Sequence, residues 1–559
     1  MAQRGRDPWV GGFGGFRGGR AAVRGRAAVP PPGRWVDGSR VRRACLRLRS
    51  GPAWRPALAG LSSVLLAWAF APSGPAWLAF VALVPLLAAL RGRGPGPAFL
   101  LCFAFGIAFS MLHFRWILAI SGFTAVHFLI LGIYFGCQYG LVGALAASIV
   151  GRGASPVLAW PPLWVAMEFI RGHAGFLSLP WAFLAHSQYE HLALIQVASV
   201  TGAYGVSFLI VLVNAALAGC LARGRRALPA ALLAGGVLGA CLAYGGAVLA
   251  GAKPAARTFR VAVIQPNIPQ EIKWKRGEIL HNLERHVTMT RRVAATGRPQ
   301  LVVWPEASAQ GYFVNDPAIQ RPVIQAARET GVDLLIGTGQ RPKFGDLEFR
   351  GSHALNAAYL VGADGRVHGA YRKQRLLPFA EDLPWREWFP WPEGIRRHAG
   401  SYVPGKGGEP LVIDAPGGPV RFGVLICWEN IFPGLFRRSA AAGVDFMVNI
   451  TNEGWFGDSA VPYQFLSMSV FRAVEHRIPI VRSANTGISG FIGPEGAVRA
   501  RVRQGPRDVL VRGDLTWEVP LAPGRTFYTL HGDVFAYGCM GLAGVLLLPW
   551  PRVRRRRAG

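Results

Sequence analysis

Apolar residues fill long unbroken runs through the first half of the chain, then give way to short ones. A helix needs about 20 mostly apolar residues, within a range of about 17–25, to cross a bilayer. Runs of this kind predict spans over 57–73, 76–91, 97–118, 124–150, 155–171, 194–222 and 227–250, and an eighth over 534–550. Any one of them could instead be a buried core helix, but seven in tandem argue against that. Between residues 257 and 530 the pattern changes. Phe259 to Ile264, Leu301 to Trp304, Leu334 to Gly337, Ala357 to Val361, Phe422 to Ile426 and Phe446 to Ile450 read as strands. Residues 276–295, 317–330 and 459–477 read as helices. This alternation predicts an α/β domain with a largely buried sheet. The expected order is a tail over 1–56, a seven-span bundle over 57–251, the α/β domain over 257–530, an eighth span over 534–550 and a tail over 551–559.

Composition agrees. The chain is 51% hydrophobic and 16% charged, whereas an ordinary soluble protein is about 25% charged. That excludes disorder and a plain soluble enzyme. A net charge of +31 would suit a nucleic-acid partner, but the placement of the charge does not. Residues 1–56 hold thirteen Arg against two Asp, and the last nine residues hold five more Arg. The Gly/Arg-rich start, with Pro30-Pro31-Pro32, reads as a disordered cytoplasmic tail, and no nucleic-acid partner is expected. Arg91 and Arg93 follow span two, Arg152 follows span four, and Arg223, Arg225 and Arg226 follow span six. Basic residues mark cytoplasmic loops, so the α/β domain is expected on the opposite face and the C-terminal Arg cluster inside. Arg115 and Arg171 fall on the outer side against this rule. Of the ionisable residues inside spans, His113, His127 and Glu168 could be functional or could sit at helix ends or in interhelical hydrogen bonds.

Cys102, Cys137, Cys220, Cys241 and Cys539 lie in apolar runs and read as small hydrophobes. Cys45 lies in the basic tail, and Cys427 stands by itself in the polar domain. No metal-ligand spacing or Gly-rich phosphate loop occurs there, and no cofactor is expected. Three strand ends carry reactive groups. Leu301 to Trp304 leads through Pro305 to the carboxylate of Glu306. Tyr371-Arg372 leads to the amine of Lys373, and Val424 to Ile426 leads to the thiol of Cys427. A thiol nucleophile needs a base to take its proton, and a carboxylate can serve. An ammonium and the backbone N–H after the nucleophile can stabilise an oxyanion. These are the parts for acyl transfer through a thioester. Each also has a plain alternative: a core cysteine, a turn glutamate, a solvated lysine.

Trp304-Pro305-Glu306, the Lys373 segment and Cys427-Trp428-Glu429 together resemble the Glu–Lys–Cys signature of the nitrilase, or carbon–nitrogen hydrolase, superfamily. Gln265 to Gln270 with Lys273-Trp274, Leu376 to Glu381, and Asn452 to Ser459 extend the likeness. With a bundle before and a span after, residues 55–550 resemble the apolipoprotein N-acyltransferase family. The resemblance implies an αββα sandwich on an eight-span bundle, in the bacterial inner membrane, with the catalytic domain periplasmic and the chain a monomer. It implies a phospholipid acyl donor and a diacylglyceryl-cysteine lipoprotein acceptor. Glu306 matches the general base, Lys373 the intermediate stabiliser and Cys427 the nucleophile. Glu381, Glu429 and Trp428 match supporting residues; Trp274 and Trp455 match aromatic residues near the lipid entrance. Trp428 stands where the family usually has Tyr, Ala380 where it has Gly, and Val461 to Phe465 lacks the usual His.

Residues 384–391 carry Trp385, Trp388, Phe389 and Trp391 directly after Glu381. Trp favours membrane interfaces, so this loop is expected to meet lipid, with Trp385 and Trp388 as substrate contacts; the alternative is a hydrophobic cap over the sandwich. Two other functions compete. A membrane-tethered amidase hydrolysing a small amide would use the same three groups. A transporter or receptor would have no need of them.

Overall fold

A computed structural model describes residues 54–549, apart from 71, 73, 121–122, 342–353, 394–395, 397–399 and 522–524. The basic tails before and after, with Cys45, and Lys343 lie outside the described residues. Each apolar run carries helix: Trp54–Trp68, short turns over Ala76–Leu90, Pro95–His113, Ala125–Gly151, Pro156–Gly172, Ala203–Arg223, Leu228–Ala250 and Val534–Leu547. Two of these helices, Pro95–His113 and Ala125–Gly151, are long and apolar enough to cross a membrane, and so is the 48-residue helical run Ala203–Ala250. That run turns at Gly224, whose φ of +55° is one that glycine adopts without steric cost. The stretch read as one span over 194–222 is shorter, because Gly202 at φ +65° separates Ala203–Arg223 from two single turns before it. The last helix is also shorter than the expected run, at 14 residues.

Arg171 departs from the charge pattern because it is not in a loop. It ends helix Pro156–Gly172 and is 1% exposed, its guanidinium carbon 5.0 Å from the Phe135 ring. One turn earlier, Glu168 accepts hydrogen bonds from Trp164 Nε1 (3.1 Å) and the Leu184 backbone N–H (2.9 Å). His127 caps the start of its helix against Thr124, and His113 packs edge-on to Phe70. All three ionisable residues thus have local structural partners.

After residue 257 the chain forms two sheets. The first takes β1 (Thr258–Gln265), β2 (Leu301–Val303), β3 (Ala309–Tyr312), β4 (Asp333–Gln340), β5 (Leu355–Val361), β6 (Val367–Arg372) and β13 (Gly513–Pro520). The second takes β7 (Leu411–Ile413), β8 (Val420–Ile426), β9 (Phe446–Thr451), β10 (Ile480–Ala484), β11 (Gly490–Ile492) and β12 (Val498–Arg501). Their orders are β13-β1-β2-β4-β5-β6, with β3 beside β4, and β12-β11-β10-β9-β8-β7. In each, three parallel strands (β1, β2 and β4; β8, β9 and β10) are flanked by antiparallel ones. Strand alternation sends Val261, Val263, Val303 and Leu335 inward to meet Val424, Ile426, Val448 and Ile450 between the sheets. Ser483 Oγ lies 3.1 Å from the carbonyls of both Ile264 and Val303, tying the sheets together.

The outer face of the first sheet packs on helices Ile279–Gly297 and Pro317–Thr330. The second sheet packs on helices Pro433–Ala441 and Val461–His476. The arrangement is helix, sheet, sheet, helix. Fifteen of the 16 residues in Val461–His476 are buried, because the bundle covers this helix from its other side. One apolar cluster runs from Phe109, Trp181 and Tyr204 in the bundle to Phe471, Met447 and Ile480. Trp181 Nε1 donates to Gln464 Oε1 (2.8 Å), and the Ala203 N–H to Glu475 Oε1 (3.0 Å).

Candidate active site

The C-terminal ends of the central strands converge, the usual place for a site in a sheet of this kind. β2 is three apolar residues, followed by Trp304, Pro305 and Glu306. Trp304 is fully buried and its indole N–H donates to Thr290 Oγ1 (2.8 Å), which anchors the turn. Ala307 at φ +48° then redirects the chain so that the Glu306 carboxylate faces the second sheet. Lys373 follows β6, and its backbone N–H donates to Asn356 O (2.8 Å). Cys427 ends β8 at φ +58°, a left-handed conformation that costs about 1–2 kcal/mol in a residue with a Cβ. Asn449 Nδ2 supports this strained turn, donating to Leu425 O (3.1 Å) and Cys427 O (3.3 Å).

Three of the groups form one buried cluster. Lys373 Nζ lies 2.8 Å from Glu381 Oε1 and 3.4 Å from Glu306 Oε1. Asn356 Nδ2 donates to Glu306 Oε1 (2.8 Å) and Glu381 Oε1 (3.3 Å), bridging the two carboxylates. The Asn452 N–H holds Glu306 Oε2 (3.0 Å), and the Leu377 N–H holds Glu381 Oε2 (2.8 Å). Burial opposes the charge on Lys373, but Glu381 and Glu306 outweigh it and hold the ammonium well above the usual lysine range. Burial, then Glu306, pushes the Cys427 thiol up, while Lys373 pulls the other way.

Glu429 does something different. Its Oε2 accepts from Tyr371 OH (2.9 Å) and the Ile426 N–H (2.8 Å), and its Oε1 from the N–H groups of Gln374 (2.6 Å) and Arg375 (2.9 Å). It locks the loop after Lys373 to the strand that ends in Cys427. Trp428 ties the same two segments: its indole N–H donates to Arg375 O (2.7 Å).

Residues 62–216 match the model of the apolipoprotein N-acyltransferase N-terminal domain, and residues 260–513 match that of the carbon-nitrogen hydrolases. Over 509 residues the chain is 36% identical to an apolipoprotein N-acyltransferase of Geobacter metallireducens, covering 88% of this chain and 94% of that protein. The chain belongs to the apolipoprotein N-acyltransferase family. A second member, from Chlorobaculum tepidum, is 30% identical over 540 residues, 91% of this chain and 98% of that one. Among solved structures, an amidase of the nitrilase superfamily from Nesterenkonia is 21% identical, with a TM-score of 0.36, covering 52% of this chain and 96% of that chain.

The aromatic residues singled out from sequence do not gather at one point. Trp274 and Trp455 are each 48% exposed. Trp455 precedes Phe456, whose ring meets Trp116 of the bundle at 5.3 Å. Trp385 lies edge-on to Phe176 at 4.4 Å, and Trp388 is 88% exposed. Several residues that shape the site were not given a role there by the sequence. Lys273 is one: it is 2% exposed, and its Nζ donates to Glu306 O (3.0 Å), holding the turn that presents the carboxylate. Burial, opposed by Glu306, brings it down to about 8. The Lys273-Trp274 pair could have pointed to it, since only six lysines occur in the chain. Asn356, Asn449 and the fully buried pair Arg482–Glu453 (2.6 Å) are others; Arg482 Nη1 donates to Asn449 Oδ1 (2.8 Å).

Proposed function

We propose that this chain moves an acyl chain from a phospholipid to Cys427, and then to the α-amino group of an N-terminal diacylglyceryl-cysteine on a lipoprotein. The observation that carries this is the Glu306–Lys373–Glu381 cluster at the strand ends where Cys427 also lies, in a domain whose outer helix layer is shared with an apolar bundle. Glu306 takes the thiol proton as the sulfur attacks the ester carbonyl carbon. Lys373 and the backbone N–H of Trp428 stabilise the oxyanion. The carbon–oxygen bond breaks, and the lysophospholipid alkoxide leaves with the proton from Glu306. The acceptor amine then attacks the thioester and gives its proton to Glu306. The carbon–sulfur bond breaks, an amide forms, and the thiol is reprotonated. Glu381 holds Lys373; Glu429 and Trp428 hold the loop and the nucleophile in register. Trp274, Trp455, Trp385 and Trp388, all at least partly exposed, are substrate contacts in this reading.

The Arg pattern supports an eight-span arrangement in the cytoplasmic membrane, with residues 257–530 on the periplasmic side and both tails inside. Acceptor lipids anchored in the outer leaflet then reach the thiol directly, and one copy of the chain holds every group the reaction needs. The competing reading, hydrolysis of a small amide, uses the same triad with water as acceptor.

The test is to incubate purified enzyme with acyl-labelled phospholipid and no acceptor. The transferase reading expects about one hydroxylamine-labile label per enzyme on Cys427, chased onto a diacylglyceryl-cysteine peptide, with ping-pong kinetics. Steady release of free fatty acid without a trapped thioester would favour the hydrolase.

A further inference from the structure

Thr451 ends β9, beside the nucleophile. The parallel register pairs Ile450 with Ile426, so the next residue along is Thr451 on one strand and Cys427 on the other. Thr451 is 1% exposed. Its backbone is fixed on the far side as well, by pairing with Ala484 and by the Asn485 N–H, which donates to Thr451 O (3.1 Å). Its hydroxyl finds no nitrogen or oxygen partner among the described residues, and the group within its reach is the Cys427 sulfur. The next residue, Asn452, holds Glu306 Oε2 through its backbone N–H (3.0 Å). Consecutive residues at one strand end thus address the nucleophile and its base.

Buried hydroxyls are nearly always paired, and each exception needs a reason. Valine would fill the same space in a strand without leaving a polar atom unpaired. What threonine adds here is one O–H within reach of a sulfur on which charge develops twice. Hydrogen bonds to an ionised group are about twice as strong as neutral ones. We propose that Thr451 is a catalytic residue whose hydroxyl donates to the Cys427 sulfur in both half-reactions. The bond strengthens as Glu306 removes the thiol proton and the sulfur attacks. It strengthens again as the carbon–sulfur bond breaks and the thiolate leaves. The hydroxyl keeps its own proton throughout, so the proton balance with Glu306 is unchanged. The charged groups around the sulfur are Glu306, Lys373, Glu381 and Arg482. Burial and the two carboxylates oppose a thiolate, and Thr451 acts with Lys373 to favour it. The role in turnover rests on the thioester reading above; the contact with the sulfur does not.

The test compares the full-length enzyme with Thr451→Val, Thr451→Ala and Thr451→Ser in neutral-detergent micelles. Alkylation of Cys427 by neutral iodoacetamide is followed across neutral and alkaline pH, and hydroxylamine-labile labelling by acyl-labelled phospholipid is followed in parallel. T451V and T451A should alkylate about tenfold more slowly at neutral pH, the scale of one hydrogen bond to a charge, while T451S stays within about twofold of the wild type. The profiles of T451V and T451A should also move to higher pH, and lipid labelling should fall in the same order. A role in packing alone ranks the variants by size instead, with T451V like the wild type and T451S falling with T451A. That ranking, or equal alkylation throughout, overturns the proposal. Ser and Ala differ here by a single oxygen, so their comparison decides the matter even if T451V fails to fold. Alkylation ranked by the hydroxyl, with no lipid labelling of the wild type, would overturn the proposed reaction and the catalytic role with it, while keeping the sulfur contact.

Discussion

At the scale of single residues, the site is built so that no one group reacts unaided. Burial and the Glu306 charge both push the Cys427 thiol up, and in the proposed mechanism Glu306 removes that proton as the sulfur attacks. Cys427→Ser and Glu306→Gln should each abolish lipoprotein N-acylation, because a serine hydroxyl at neutral pH is a far weaker nucleophile and an amide is no base. Lys373→Arg should fail as well, since a planar guanidinium cannot take the place of an ammonium 2.8 Å from Glu381 in a buried site. Mass spectrometry of a mature lipoprotein N-terminus reads all three, and near-normal acylation by any variant removes that residue from the mechanism. The thiol's titration gives a second check. Its folded value lies above the ordinary 9.0, so the thiolate fraction is small at neutral pH and grows as pH rises. Alkylation of Cys427 by neutral iodoacetamide should therefore still be accelerating above pH 9. A rate already flat between pH 6 and 8 would mean a preformed thiolate–lysine pair.

At the scale of elements, strand ends position the chemistry, and the backbone leaves little slack. A Cβ on Gly337, in β4, would lie 2.5 Å from Pro305 O and 2.8 Å from the Glu306 Cα. Those are backbone atoms and cannot swing aside. Gly337→Ala should displace the Glu306 turn, destabilise the fold by about 1–3 kcal/mol and lower turnover at least tenfold, roughly the effect of misplacing a reacting group. Gly434, in helix Pro433–Ala441, has open space around its Cβ position. Gly434→Ala should be neutral or stabilising by at most about 1 kcal/mol. Thermal melts and acylation assays on the two variants compare them directly, and equal effects would contradict the tight fit at Gly337. All six strands expected from sequence exist. Those not foreseen, β3, β6, β7 and β10 to β13, are short, polar or Arg-bearing, such as Val498–Arg501, and their pairing partners rather than their composition make them strands. Glu306 and Cys427 were legible as candidates because each follows an apolar run, whereas Lys373 follows β6, whose sequence VHGAYR carries no such run.

At the scale of the whole molecule, the bundle and the sandwich share one core through Val461–His476. A helix apolar on one face packs a sheet; this one is buried all round, as a helix between two bodies must be. Sharing a core fixes the thiol at a set height relative to the bundle, which a flexible tether could not do. The Arg pattern expects this domain outside the cytoplasm. A fluorescent protein that matures only in the cytoplasm, joined after Lys406, should stay dark in cells, whereas one joined after Arg226 should fluoresce. A bright fusion at Lys406 would reverse the topology and remove the lipoprotein acceptor from reach.

Sequence alone determined where the long apolar helices and six of the strands lie, because burial there leaves a continuous apolar run, while fully buried β10 and β11 are too short or too polar to show one. It also picked out Glu306 and Cys427 as reactive groups that each follow such a run, whereas Lys373 was picked out by the likeness of its segment to the Glu–Lys–Cys signature. Tertiary structure decided what no local pattern encodes. The bridge from Asn356 to both carboxylates, the support of the Cys427 turn by Asn449 and Arg482, and the hold of Lys273 on the Glu306 carbonyl all join residues far apart in the chain. Polar side chains such as these look alike in sequence whether they face water or a buried partner. Arg171 shows the same limit, since its charge counted as a loop signal until the Phe135 ring and the surrounding helices enclosed it. Only the assembled fold distinguishes a solvated charge from one that packing has taken out of water.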